Sequence, residues 1–140
     1  MRIIKFSITL FFVLITISCK NENKALNKEK SQMQEVLAVH DEVMPKMGKI
    51  GHLISQIDTK MNETDSSEVL VNASQNLKDS SKEMMDWMKG FGERFDSDEI
   101  LKGKALTDEK QKLLDEEELK IKKLRDKMNS SIKKAEDLLK

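Results

Sequence analysis

The chain has 140 residues, room for one domain and little more. Charged residues make up 36% and aromatics 4%, proportions that suit a helical bundle and argue against a β-sandwich. Lys plus Arg and Asp plus Glu are both 25, which leaves no cationic excess to hold nucleic acid by its phosphates, and the single Cys excludes an intrachain disulfide.

The N-terminus reads as an export signal. Arg2 and Lys5 form a basic start, and Phe6–Ile17 is a 12-residue run broken only by Ser7, Thr9 and Thr16. Such a run is too short to span a bilayer core of ~30 Å and has the length of a secretory h-region. It ends at Ser18-Cys19, which resembles a bacterial lipobox, departing from the usual pattern at Thr16 where Leu is commonest. The resemblance implies a lipoprotein signal peptide over 1–18 and a lipidated Cys19 as the mature N-terminus. Two acyl chains hold a membrane stably where one does not. Residues 19–26 then read as a polar, flexible tether, and the expected location is the periplasmic or surface face of a bacterial envelope membrane.

Residues 27–140 carry apolar positions at helical spacing with no alternating run of strand type. The first segment, 27–61, has the stripe Met33, Val36, Leu37, His40, Val43, Met44, Met47, Gly51, Ile54 and Met61. Pro45 lies inside it and removes a backbone donor opposite the Asp41 carbonyl, so a kink is expected over 41–45. Gly48 and Gly51 offer a neighbouring helix a close approach. Asn62–Thr64 is short enough for an antiparallel hairpin.

The second segment, 66–95, starts near Asp65, whose spacing to Glu68 suits a capping box. Its stripe is Leu70, Ala73, Leu77, Met84, Trp87 or Met88, Phe91 and Phe95. A connection over Asp96–Leu106 leads to the third segment, 107–139, with Thr107 as N-cap and a seam of Leu114, Ile121, Leu124, Met128, Ile132, Ala135 and Leu139. The expected architecture is all-α: an up-down-up antiparallel three-helix bundle of coiled-coil-like character. The long third helix is expected to protrude at its end, where a second copy would pair. The Lys and Glu/Asp alternation over Asp108–Lys134 reads as a solvated face with i,i+4 pairs.

Two motifs stand out: His40–Gly51 (HDEVMPKMGKIG) and Met84–Met88 (MMDWM), the latter with three Met and the only Trp in five residues. If the first two helices turn near residue 63, His40 lies level with Trp87 and Met44 beside Met84. His40, Met44 and Met47 share one helix face within ~60°. With a second turn near residue 100, Glu117 and Glu118 reach a similar height, and one of them, partly buried, is placed to accept a hydrogen bond from His40.

Thioethers with one imidazole select Cu(I) over harder ions, so His40, Met44, Met47, Met84 and Met88 form a candidate metal set, with Trp87 as a capping aromatic. The His, Met and Trp combination resembles the ligand chemistry of small periplasmic copper carriers, which have a β-barrel fold. Packing competes with this reading, because Met-rich stripes beside an aromatic are usually core. His52 lies off the stripe and reads as surface.

The same two motifs resemble a family of small lipoproteins from Bacteroidetes-type bacteria that often carry the label "viral A-type inclusion protein". The resemblance spans most of the mature chain. It implies the helical architecture and transfers no mechanism.

Catalysis is not expected. There is no nucleophile–base set, phosphate loop or zinc-type spacing, and Asp41 and Glu42 leave the helix in directions other than that of His40. Two functions remain: a lipid-anchored module that binds a protein partner, pairs as a homodimer or serves a structural role, and a lipid-anchored Cu(I)-binding protein.

Overall fold

The computed structural model describes residues 31–63 and 67–140, so Cys19, the signal segment and the tether lie outside the described residues. The described residues form five helices and no strand: α1 (Gln32–Val43), α2 (Lys46–Glu63), α3 (Glu68–Arg94), α4 (Ser97–Lys102) and α5 (Asp108–Leu139). α1 and α2 act as one kinked rod running parallel to α5, and α3 descends between them. Gln32 bonds Asp115, Lys46 bonds Asn129 and Lys49 pairs with Glu136, whereas Glu83 of α3 pairs with Lys127. The expected up-down-up bundle is therefore the fold.

The core repeats every seven residues on all three rods. Val36, Val43, Ile50 and Ile57 are 0–1% exposed, and Leu70, Leu77, Met84 and Phe91 face them from α3. Leu114, Ile121, Met128 and Ala135 complete the seam from α5. Spacing of 3.5 residues per turn keeps one narrow stripe facing its partners over the length of a long helix. Polar residues enter this seam in matched places. The Ser80 hydroxyl donates to the Asn76 carbonyl at 2.7 Å and lies 3.3 Å from the Ser131 hydroxyl. Arg94 donates to buried Glu117, whose Oε1 also accepts from Lys120 at 3.0 Å.

Caps set the helix ends. Ser31 and Gln34 exchange a full capping box at the start of α1. Pro45 divides the first predicted helix in two: Met44 N–H still donates to His40 at 3.0 Å, but α2 begins only at Lys46. Across the break, Lys46 reaches Glu42 at 3.2 Å and Asn129 at 2.8 Å. The cap of α3 is the Ser67 hydroxyl, which accepts from Leu70 N–H at 3.4 Å, and not the expected Asp65–Glu68 box; Glu68 is already the first helical residue. Thr107 caps α5 as expected, accepting from Lys110 N–H at 3.3 Å.

Three further expectations are corrected. Gly48 and Gly51 do not admit a close neighbour, because a Cβ added at either meets nothing within 4 Å; both face outward. The end of α5 does not protrude. Ala135 is fully buried, Leu138 and Leu139 pack on the core, and Lys60 of α2 donates to the Leu138 carbonyl at 2.8 Å.

The Asp96–Leu106 connection is not plain loop either. It contains α4, capped by Asp96, whose carboxylate accepts from the Asp98 and Glu99 N–H groups at 2.9 Å while Glu99 bonds back to Asp96 N–H at 2.8 Å. Gly103 ends α4 at φ 69°, a left-handed conformation that favours glycine.

The Arg94–Glu117 pair generates a stability prediction. Arg94→Ala leaves Glu117 buried with Lys120 alone and is expected to cost about 1–3 kcal/mol in urea unfolding. The double change Arg94→Met with Glu117→Leu is expected to be neutral or stabilising, since desolvation of both charges is removed together.

The α4 cap generates a pH prediction. Lys104, with help from the Glu99 N–H, holds the Asp96 carboxyl down at about 2. Lys110 and the Asp96 N–H hold Glu99 below the ordinary carboxylate range. Groups with depressed folded values stabilise the fold above their unfolded values near ~4 and lose that contribution as pH falls toward ~2. Amide exchange between pH 5 and pH 2 should therefore open α4 before the α3–α5 seam, at a higher pH in Lys104→Ala.

Candidate functional site

The antiparallel register of the α1–α2 rod against α3 brings His40 level with Trp87, as expected. Their ring centroids are 5.8 Å apart with planes tilted by 30°. His40 sits on the last turn of α1, one residue beyond the Val36–Val39 turn and just before the break at Pro45. Trp87 stacks in turn on Phe91 at 4.9 Å, and Phe91 lies 4.8 Å from Phe95. Spacing of four residues on α3 therefore builds a continuous ladder of rings, with His40 at its end. Each such pair adds ~0.5–1.5 kcal/mol beyond burial.

The methionines divide by depth. Met84 is fully buried in the seam, whereas Met44, Met47 and Met88 are half-buried and pack on the core from its edge. Trp87 is itself 9% exposed, and its Nε1–H is buried with no acceptor among the described residues. An unpaired buried donor costs ~1–3 kcal/mol, which the stacked rings offset. His52 is exposed, as expected.

Two expectations about His40 are corrected. Its partner is not Glu117 or Glu118. Its Nδ1 lies 3.0 Å from Asp41 Oδ1, the adjacent residue whose side chain was expected to leave in another direction. The two ends of α5 and α3 meet lower than a turn at residue 100 implies, because α4 and the stretch after it lengthen the connection. Glu117 consequently faces Arg94 of α3, and Glu118 bonds Gln32 at 2.7 Å and Lys122. Lys122 and Gln32 together hold the Glu118 carboxyl below its ordinary value. In the tautomer that places the proton on Nδ1, Asp41 accepts it and Nε2 keeps the free lone pair.

Arg94 is the buried-pair residue that the sequence reading passed over. Its signal was present: Ala73, Ser80, Trp87 and Arg94 recur every seven residues. Among the described residues no group of three or more His, Cys, Asp or Glu is arranged to hold a metal ion. Among the same residues no helix is long and apolar enough to cross a membrane. Comparison with protein-family models, curated proteins and solved structures finds no match to the chain.

The ladder predicts an ordered mutational series. Trp87→Ala is expected to lose about 3–5 kcal/mol by opening a cavity beneath His40 and Phe91. Trp87→Phe keeps a ring in the stack and removes the orphan donor, and its loss in urea unfolding is expected to stay under about 2 kcal/mol.

Proposed function

We propose that this chain is a lipid-anchored, non-enzymatic helical-bundle module of the bacterial cell envelope that serves a protein partner or a structural role. The observation that carries this reading is the order of parts: a basic start, the apolar run Phe6–Ile17, Ser18-Cys19, and then a bundle whose first helix is capped at Ser31. The placement of Met84 in the seam, where it is fully buried, supports it. Its test is metabolic labelling with a palmitate analogue. Label should enter the wild-type chain, and Cys19→Ser should lose the label and leave the membrane fraction. Equal labelling of both proteins would overturn the anchor.

One observation favours a second reading, Cu(I) binding by His40, Met44, Met47, Met84 and Met88 under Trp87. The His40 ring lies beside the indole with Nδ1 engaged by Asp41, an arrangement that orients an imidazole ligand through its other nitrogen. An anaerobic Cu(I) titration against a competing chelator, followed by Trp87 fluorescence, separates the readings. The packing reading predicts no tight binding, with Met44→Leu and Met84→Leu each costing below ~1.5 kcal/mol. One-to-one binding with indole quenching, abolished by His40→Ala, would replace it with copper handling.

A further inference from the structure

A groove of about 490 Å³ runs between α3 and α5 on the face away from the α1–α2 rod. That volume lies in the ~300–1,000 Å³ range of small-molecule sites. Trp87 and Leu124 line its floor, and Gly90 lies between two ion pairs that tie the helices together, Glu83–Lys127 at 2.5 Å and Arg94–Glu117. The methylene stems of Lys120, Lys123 and Lys127 add apolar wall beneath their charged heads.

Two features remain unused by the fold. The first is Gly90. Glycine lowers helix propensity relative to Ala, and a Cβ built there, as at the chain's other glycines, meets nothing within 4 Å; Gly90 differs from the others in lining the groove. The second is charge. Lys120, Lys127 and Arg94 are engaged with Glu117 or Glu83, and Asp86 at the rim is drawn to Lys82 at 2.5 Å, outside the groove. Lys123 has no ion-pair or hydrogen-bond partner among the described residues. The rim therefore holds four cations against three carboxylates, with one ammonium unspent.

We propose that this groove binds a small organic carboxylate with an aromatic or short acyl body, the body lying over Gly90 between Trp87 and Leu124 and the carboxylate meeting Lys123. A single unspent ammonium fits a monoanion, and the apolar floor fits a body larger than an inorganic ion. The site is separate from the His40 side of the indole and stands whether or not the chain binds copper.

The test uses the full chain, ¹⁵N-labelled, titrated with 1-naphthylacetate and, in parallel, with the cation 1-naphthylmethylammonium. The chain has one Trp, so its indole N–H gives one resonance, on a side chain that lines the groove. The expected result is a saturable shift of that resonance and of the Gly90 amide with the carboxylate, at least tenfold tighter than with the cation. Lys123→Glu should weaken binding about tenfold or more, the scale of one charge-assisted hydrogen bond. Gly90→Leu fills the groove while raising helix propensity, and should abolish binding with the circular dichroism spectrum unchanged. Absence of a saturable shift, equal affinity for both naphthyl probes, or undiminished binding in Gly90→Leu would each overturn the proposal.

Discussion

The seven-residue seam is the constraint on which the rest of the molecule depends. A straight helix drifts by ~20° per heptad relative to a 3.5-residue repeat, so three rods that keep one narrow stripe buried must wind around one another. The stripe here is narrow because 36% of the chain is charged, which leaves little apolar surface to spare for a wider face. Seam positions must then do two tasks. Apolar ones such as Val36, Leu77 and Ile121 supply burial, and polar ones such as Ser80, Ser131 and Glu117 set which residue meets which. A slip of one heptad would separate Arg94 from Glu117 and leave the buried carboxylate with Lys120 alone. The loss of that interhelical pair discriminates against the wrong register.

Pro45 acts within that frame and not against it. A missing N–H opposite the Asp41 carbonyl breaks the hydrogen-bond ladder, yet Val43 and Ile50 on either side keep their places in the seam at 0% and 1% exposure. The break is bridged by Lys46, which spans it to Glu42 within the rod and to Asn129 of α5. Its consequence lies one turn earlier. α1 packs chiefly along α5, α2 packs against both α3 and α5, and the large rings of Trp87, Phe91 and Phe95 occupy the α3 side at the level of α1. His40 meets the end of that ring ladder because the chain changes course just after it.

The periodic part of this structure was legible in the sequence. The spans of α3 and α5 fall within two residues of the expected bounds, and the hairpin register placed His40 opposite Trp87, because hydrophobic spacing and a short turn determine both. What was not legible depends on side-chain reach and on connection length. Asp96–Leu106 contains both a capping-box pair and Gly103, so α4 had a local signal, but six residues are too few for periodicity to reveal a helix. Missing α4 moved the second turn, and the displaced turn moved Glu117 from Arg94 to the level of His40. Asp41 was set aside on helical direction alone, although a carboxylate one residue away can fold back onto an imidazole. Gly48 and Gly51 were read from a residue type that permits close approach. Permission is not contact, and the neighbouring helices lie on the opposite side of α2.

The same distinction bears on the methionines and on Trp87. Thioethers and an indole at one level of a bundle are compatible with a soft-metal site, but a seam position demands burial whether or not a ligand exists. Met84 satisfies that demand fully, so its presence says little about metal. The informative atoms are those whose placement packing does not explain. The indole N–H is buried without an acceptor, a cost that Phe at the same place would avoid while keeping a ring between His40 and Phe91. Gly90 pays in helix propensity for space that no side chain of this chain enters. Both lie on the same turn of α3, at the groove shared with α5. Trp87 brings more ring area to the stack than Phe would, along with an orphan donor, and Gly90 leaves the groove wall open, so this turn of α3 is where packing within the chain leaves room beside a buried ring.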